Sequence, residues 1–381
     1  MKKVLFLQNE GNNYGGVWQV NKLVGEELQK NNFEVSIVSI RNSKNNVNID
    51  NTTKLNVFII NENDVWGTYQ GRKILSEFKK KNILKSCKML FSRINYKIKL
   101  KNDSNKLHKY IKNTKPDYII ASQYELLDMI PKEYLARTIN QQHSSFSDFS
   151  THNATVKTLF RYNNKIKYLW LSKETMKKAK DMGYNNNYCI YNAVRFESKK
   201  VANVVKNKKL ITIARLAKPK DIGTMIDIVD EVFKDKRFDN WIFEIYGSGP
   251  DDEELRKKIN NNRIKMMGPT KEPQKVLLSS SINLNTSLFE GFSMSILEAQ
   301  ECGVPTISFN YWESVYEQIL NNQTGIIAEN KEDYIIKLKE LMLNEKKLLQ
   351  LSKNAKVFSN NFHIEKIINK WIELFNELDK Q

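Results

Sequence analysis

Short apolar segments recur along this chain, most of them separated by stretches with helical patterning. KKVLFLQ is followed by the loop GNNYGG and a helical stretch from about Val17 to Lys30, and then by FEVSIVSI, LNVFIIN, PDYIIASQ, TINQQH, IKYLWLS and YCIYNAV. A second run, KLITIAR, WIFEIYG, RIKMMG, INLNTS, PTISFN and GIIAEN, alternates with helical stretches such as DIGTMIDIVDEVFK and DDEELRKKINN. Strands joined through helices run parallel, and a parallel sheet needs cover on both faces. The pattern therefore predicts an α/β chain with two Rossmann-like domains facing each other. A polar, weakly patterned stretch, ESKKVANVVKNKK, reads as the linker. The expected limits are 1–196 for the N-terminal domain and 197–360 for the C-terminal one. Residues 361–381 are expected to form a last helix that packs back on the N-terminal domain.

At 381 residues the chain is long enough for two cores. No apolar run approaches the ~20 residues that span a bilayer, and MKKVLFLQNEGNN carries too few apolar residues for a signal peptide. Cys87, Cys189 and Cys302 are odd in number and widely spaced, which suggests neither a disulfide framework nor a metal knuckle. A cytoplasmic, reduced chain is expected. With 61 Lys and Arg against 43 Asp and Glu, the net charge of +18 calls for a polyanionic partner or an anionic surface. The excess is concentrated from Arg72 to Lys115, where the only acidic residues are Glu77 and Asp103. Residues 71–115 are therefore expected to meet an anionic membrane surface, on the inner face of the cell membrane, unless they form an ordinary amphipathic helix pair. No helix-turn-helix, zinc module or RNA-binding signature accompanies the charge, so no nucleic-acid partner is expected.

In open parallel sheets, ligands sit beyond the carboxyl ends of the strands. The loops at those ends carry, in order, Gly11 to Gly16; His143 with Ser144 and Ser145; Arg215 and Lys220 in ARLAKPKDIG; Gly247-Ser-Gly249-Pro250; and LFEGFSMSILEAQECGVPTIS, with Glu290 in a loop and Glu298 inside a helix. Two cations at a helix start suit a diphosphate, Arg as a bidentate donor and Lys as a point charge. Glycines at a helix start let a phosphate approach the backbone. Each feature also has an ordinary reading: a tight turn, a structural histidine, surface cations. For Glu298 that reading is a capping box, Ser295-Ile-Leu-Glu298, in which it reaches back to the start of the helix.

Taken together, glycines after the first strand, R-x4-K, a G-x-G-P loop and E-x7-E past a late strand resemble the retaining glycosyltransferases of GT-B fold, family 4. The resemblance covers essentially the whole chain and is strongest from Leu210 to Ala328. It implies a hexosyl or N-acetylhexosaminyl transferase using a nucleotide sugar, a UDP-sugar by preference. The acceptor it implies is an anionic or lipid-linked glycan or glycopolymer of a bacterial envelope. Glu290 would then bind donor-sugar hydroxyls and Glu298 the nucleotide ribose. Arg215 and Lys220 would neutralise the diphosphate, assisted by Gly16, by the Gly247 loop and by backbone N–H groups at Phe292, Ser293 and Met294. His143 would contact the transferred sugar, and Asn192 would sit at the hinge. No cofactor is expected, and no metal: there is no D-x-D triplet and no ligand cluster with metal spacing. The alternative is a non-catalytic GT-B-like subunit that stabilises a partner transferase. The chain departs from the family pattern in Ala193, for the glycine of N-G-V, in Asp221, where glycine is common, and in FNYWESVYEQIL, which lacks the usual Gly-Pro.

Overall fold

A computed structural model describes residues 1–11, 16–42, 53–65, 83–145 and 153–380, with the side chains of 62–97 and 151–154 outside that description. The first sheet contains β1 (Lys2–Gly11), β2 (Phe33–Asn42), β3 (Asn56–Val65), β4 (Tyr118–Ala121), β5 (Thr138–Gln142), β6 (Lys167–Trp170) and β7 (Asn187–Cys189), in the order β3-β2-β1-β4-β5-β6-β7. The second contains β8 (Lys209–Ile213), β9 (Ile242–Tyr246), β10 (Ile264–Gly268), β11 (Ile282–Asn285), β12 (Thr306–Phe309) and β13 (Gly325–Ala328), in the order β10-β9-β8-β11-β12-β13. β1 pairs in parallel with β2 and β4, and β8 with β9 and β11. Both orders reverse beside a central strand, the switch point at which α/β sheets bind ligands. These are the two Rossmann-like sheets that the sequence predicts.

The helices used below are α1 (Gly16–Lys30), α2 (Ile83–Thr114), α3 (Lys173–Asp181), α4 (Ile222–Phe233), α5 (Met294–Glu301), α6 (Glu345–Ser359) and α7 (Ile364–Asp379). β4, β11, β12 and β13 are buried at every position, as strands of a parallel sheet covered on both faces should be, and in β11 and β12 this includes the polar Asn283, Asn285, Thr306 and Ser308. The core around the second sheet is built from Leu210, Ile211, Phe243, Ile282, Leu284 and Ile307 on its strands. Ile226, Val229 and Leu338 reach it from the covering helices.

The chain falls into two compact units, residues 1–141 with 158–168, and residues 142–157 with 169–381. In the first unit, the part of α2 with described side chains buries Asp103, Leu107 and Ile111. Asp103 pairs there with buried Arg41 at 3.3 Å. Lys101, Lys106, Lys109 and Lys112 are exposed on the same helix. Of the basic segment proposed as a membrane surface, residues 71–82 and the side chains of 83–97 lie outside the described residues. No described helix is long and apolar enough to cross a membrane.

The stretch 197–209, read from sequence as a polar linker, is pinned rather than loose. The Ser198 amide donates to Glu301 Oε1 at 2.7 Å and the Ala202 amide to the Cys302 carbonyl at 2.8 Å, while Ala202 and Val204 are buried. These partners lie about a hundred residues along the chain, so nothing in the local pattern announces them.

Candidate active site

The loops after β8 and β11 carry the cations and the first glutamate, and they are tied to each other. Thr286 Oγ1 donates to the carbonyls of Lys220 and Asp221 at 3.0 and 2.9 Å, and the Leu288 amide donates to the Pro219 carbonyl at 2.8 Å. Arg215 follows β8 with its side chain exposed, and no described carboxylate pairs with it. Its backbone is braced by the β9 loop. Ala214 donates to the Tyr246 carbonyl at 2.9 Å and Leu216 to that of Ser248 at 3.0 Å. A Cβ at Gly247, whose φ is +149°, would lie 1.8 Å from the Ala214 carbonyl oxygen, and one at Gly249 would lie 2.1 Å from that of Leu216. The G-x-G-P glycines are thus needed for a close backbone approach that fixes where Arg215 emerges.

Asp221, where glycine is common, adopts a left-handed conformation with φ 47°. Glycine takes that conformation without strain. Aspartate offsets part of the cost as the N-cap of α4, accepting from the Thr224 amide at 3.4 Å.

Glu290 is the centre of the arrangement. Lys220 Nζ donates to its Oε1, as do Ser287 Oγ at 2.9 Å and Ser293 Oγ at 3.3 Å. All three converge on one carboxylate oxygen, and Oε2 accepts from none of the described residues. The loop carrying Glu290 is itself clamped. Gln318 receives the Ser293 amide on Oε1 at 2.8 Å and returns Nε2 to the Ser293 carbonyl at 2.9 Å, while Asn192 Nδ2 donates to the Phe292 carbonyl at 3.1 Å. Of the three amides expected to face a diphosphate, Ser293's is therefore engaged within the protein. Phe292 is buried and stacks on Tyr191 at 5.0 Å between ring centroids, and Met294 begins α5.

His143 meets this loop through its backbone. A Cβ on Gly291 would stand 2.2 Å from the His143 carbonyl oxygen, so only glycine lets the two segments touch. Burial lowers the His143 pKa to about 4, so the imidazole is neutral at pH 7. Its Nε2 is buried and has no hydrogen-bond partner among the described residues.

Glu298 does not form the capping box. Ser293 rather than Ser295 is the N-cap of α5, without a side-chain cap bond. Glu298 is instead buried and bound bidentately by Arg195, Nε to Oε1 at 2.5 Å and Nη2 to Oε2 at 2.8 Å. Burial disfavours the guanidinium charge, but the adjacent carboxylate outweighs it and holds Arg195 above the ordinary arginine pKa. One turn on, Glu301 is fully buried and accepts from Lys356 Nζ, from the Ser198 amide, from Ser359 Oγ at 2.7 Å, and faces His363 Nε2 at 2.9 Å. Sequence reasoning missed Arg195, Gly291, Gln318 and Glu301. Gly291 and Arg195 carried a faint signal, a glycine inside E-x7-E and an arginine directly after N-A-V.

Gly16 opens α1 in the other compact unit, with open space where a Cβ would stand. The remainder of its loop, residues 12–15, lies outside the described residues. Among the described residues, Glu197, His363 and Glu365 bring ligand atoms within 4.8 Å of one another, although both carboxylates are exposed and His363 Nε2 is already directed at Glu301.

Residues 194–358 match the family of glycosyl transferases group 1, a span that holds Arg195, Arg215, Lys220, Gly247, Glu290 and Glu298. Along 97% of its length this chain is 24% identical to 99% of an uncharacterized glycosyltransferase of Haemophilus influenzae. It is 25% identical to the poly(ribitol-phosphate) α-N-acetylglucosaminyltransferase of Staphylococcus aureus over 61% of this chain and 49% of that one. Among solved structures, a TarM variant of S. aureus in complex with fondaparinux, α-GlcNAc-glycerol and UDP superposes with a TM-score of 0.76 at 17% identity, over 99% of this chain and 100% of that one. Residues 194–358 are thus similar to the group 1 glycosyl transferases, and the two parallel-sheet domains have the GT-B fold.

Proposed function

We propose that this protein is a retaining transferase that moves a hexosyl or N-acetylhexosaminyl unit from a UDP-sugar to a hydroxyl of a bacterial envelope glycopolymer or lipid-linked glycan. The observation that carries the reading is Glu290. Three donors fix one carboxylate oxygen and the other is left for a ligand, in a loop whose backbone is clamped by Gln318 and Asn192. A carboxylate held this way is preorganised to accept from sugar hydroxyls without rearrangement. Breaking the sugar–phosphate bond leaves charge on a diphosphate, and Arg215 with Lys220 can stabilise it from the loop after β8. Glu298 accepts from ribose hydroxyls on the lone pairs that Arg195 leaves. Neutral His143, beside Gly291, orients the sugar. UDP and α-GlcNAc-glycerol in the TarM complex, and the poly(ribitol-phosphate) relative, support the donor and acceptor classes.

The basic face of α2 is proposed to hold the protein at an anionic membrane surface, which co-sedimentation with anionic and neutral liposomes tests. No metal is required in this scheme. The deciding experiment incubates the purified chain with UDP-, GDP- and ADP-sugars and follows nucleotide release. It then reads the anomeric configuration of the transferred sugar by NMR. A UDP-sugar should be cleaved, the anomeric configuration retained, and activity should persist in EDTA. Release from no nucleotide sugar would favour a non-catalytic partner subunit. Loss in EDTA restored by Mg²⁺ or Mn²⁺ would overturn the metal-free scheme.

A further inference from the structure

Within the second compact unit, a cleft of about 810 Å³ opens between the start of α3 and the loop and short helix that follow β12. Its size is that of a small-molecule site. None of the residues proposed above for the donor lines it.

The walls are aromatic. Tyr311 is stacked on Phe309, centroids 4.5 Å apart and planes 11° from parallel, yet remains 41% exposed, and Tyr316 is 56% exposed. Tyr191 contributes a third ring, whose hydroxyl donates to Glu317 Oε2 at 2.7 Å. Trp312 is buried in the wall, and its Nε1 has no hydrogen-bond acceptor among the described residues.

The charges of the cleft balance, which decides the class of ligand. Lys178 pairs with Glu313 at 3.2 Å. Glu317 accepts from the amides of Lys173 and Glu174 at 3.0 and 2.9 Å and so caps the start of α3. Lys173 and Lys177 are opposed by Glu174 and Glu317 in the same lining. A chain with a net charge of +18 has thus placed equal numbers of acids and bases here, in contrast to what a polyanion site requires. Flat exposed rings beside alternating donors and acceptors suit a neutral polyhydroxylated ligand, whose C–H faces lie on the rings and whose hydroxyls bond at the edges. The cleft also adjoins the catalytic loop, because Tyr191 stacks on Phe292, two residues after Glu290.

We infer that this cleft is a subsite for neutral sugar residues of the acceptor chain, with Tyr311 and Tyr316 as stacking platforms. The inference rests on the protein being a glycosyltransferase and is independent of the roles given to the donor residues.

The test is titration of the whole chain with chitotetraose, maltotetraose and oligo(glycerol phosphate) by saturation-transfer NMR, with UDP titrated in the same samples. At least one neutral tetrasaccharide should bind. Tyr311→Ala combined with Tyr316→Ala should weaken that binding tenfold or more, while Tyr311→Phe keeps it and UDP affinity is the same in all three proteins. Both tyrosines are exposed, and circular dichroism confirms that each variant is folded. The inference is overturned if neither neutral tetrasaccharide binds while UDP does, or if binding survives the double substitution. It is also overturned if oligo(glycerol phosphate) binds more tightly and is released by salt, which marks a polyanion groove. If the tetrasaccharide binds and UDP does not, the subsite stands and the proposed donor reading falls.

Discussion

Two glutamates of one strand–loop–helix element, Glu290 in the loop and Glu301 at the end of α5, are held in opposite ways. Around Glu301 every neighbour is a donor: Lys356, the Ser198 amide, Ser359 and His363 saturate both oxygens of a fully buried carboxylate. Around Glu290 the three donors share Oε1, and a little of the side chain, 12%, stays in contact with solvent. A saturated carboxylate has nothing left to offer a ligand and can only hold structure together. A carboxylate fixed through one oxygen is oriented and still able to bind. Saturation separates the two roles better than burial or proximity to a cation, since each glutamate has its own lysine.

The largest effect should come from Glu301→Ala. Removing one partner of a buried ion pair costs about 3–5 kcal/mol. The melting temperature should fall by many degrees, with donor KM unchanged in the folded fraction. The pH dependence has a definite sign. Burial pushes the Glu301 pKa up, but Lys356, the Ser198 amide, Ser359 and His363 outweigh it and leave the pKa below 4.5. Stability from this group is therefore present above about pH 4.5 and lost as the pH falls through the lower folded value. Acid unfolding of wild type and of Glu301→Gln should converge at low pH. Parallel curves at all pH values would mean that Glu301 is not the group responsible.

The partner lysines sharpen the contrast. Lys220→Ala should lower kcat/KM roughly a hundredfold, the scale of losing one preorganised charge stabiliser, with melting almost unaffected. Lys356→Ala should do the reverse. The double variant Arg215→Ala with Lys220→Ala should lose less than the sum of the single effects if, as proposed, both act on one leaving group. A large melting loss from Lys220→Ala would erase the distinction between the two carboxylate sites. Glu290→Gln comes next: a charge-assisted contact to sugar hydroxyls is worth about 1.5–3 kcal/mol, hence a tenfold or greater loss of rate at an unchanged melting temperature.

The succession of strands was legible because most are short apolar runs separated by helical stretches, and tertiary packing then reinforces that local preference. Arg215, Lys220, Glu290 and Glu298 stood out because they follow strand ends at fixed spacings. What escaped were contacts between distant segments. The capping-box alternative for Glu298 stayed open because its partner Arg195 is 103 residues away and nothing in YNAVRF marks that arginine as the partner of a buried carboxylate. Gly291 was given no role, although the His143 carbonyl forbids a side chain there. Asp221 read as a departure, whereas its left-handed backbone explains both the usual glycine and why a capping aspartate can replace it.

Glu298 lies between the two extremes, and the smallest effect concerns it. It is buried like Glu301, yet among the described residues only Arg195 holds it, one nitrogen to each oxygen, so each oxygen keeps a lone pair for a further donor. If ribose hydroxyls use those lone pairs, the guanidinium fork sets the plane of the carboxylate and thereby the fit of the nucleotide. Arg195→Lys keeps the charge and loses the fork, because an ammonium is a point donor that cannot hold both oxygens in one plane. The expected result is a several-fold rise in donor KM, with kcat near wild type and a melting temperature lowered only slightly. Arg195→Met should be worse in both respects, because it leaves a buried carboxylate without a counter-charge. Should Arg195→Lys leave KM untouched while melting falls as it does for Glu301→Ala, Glu298 would belong with Glu301 as a structural carboxylate. The nucleotide would then have to be held by Glu290 and the loop cations alone.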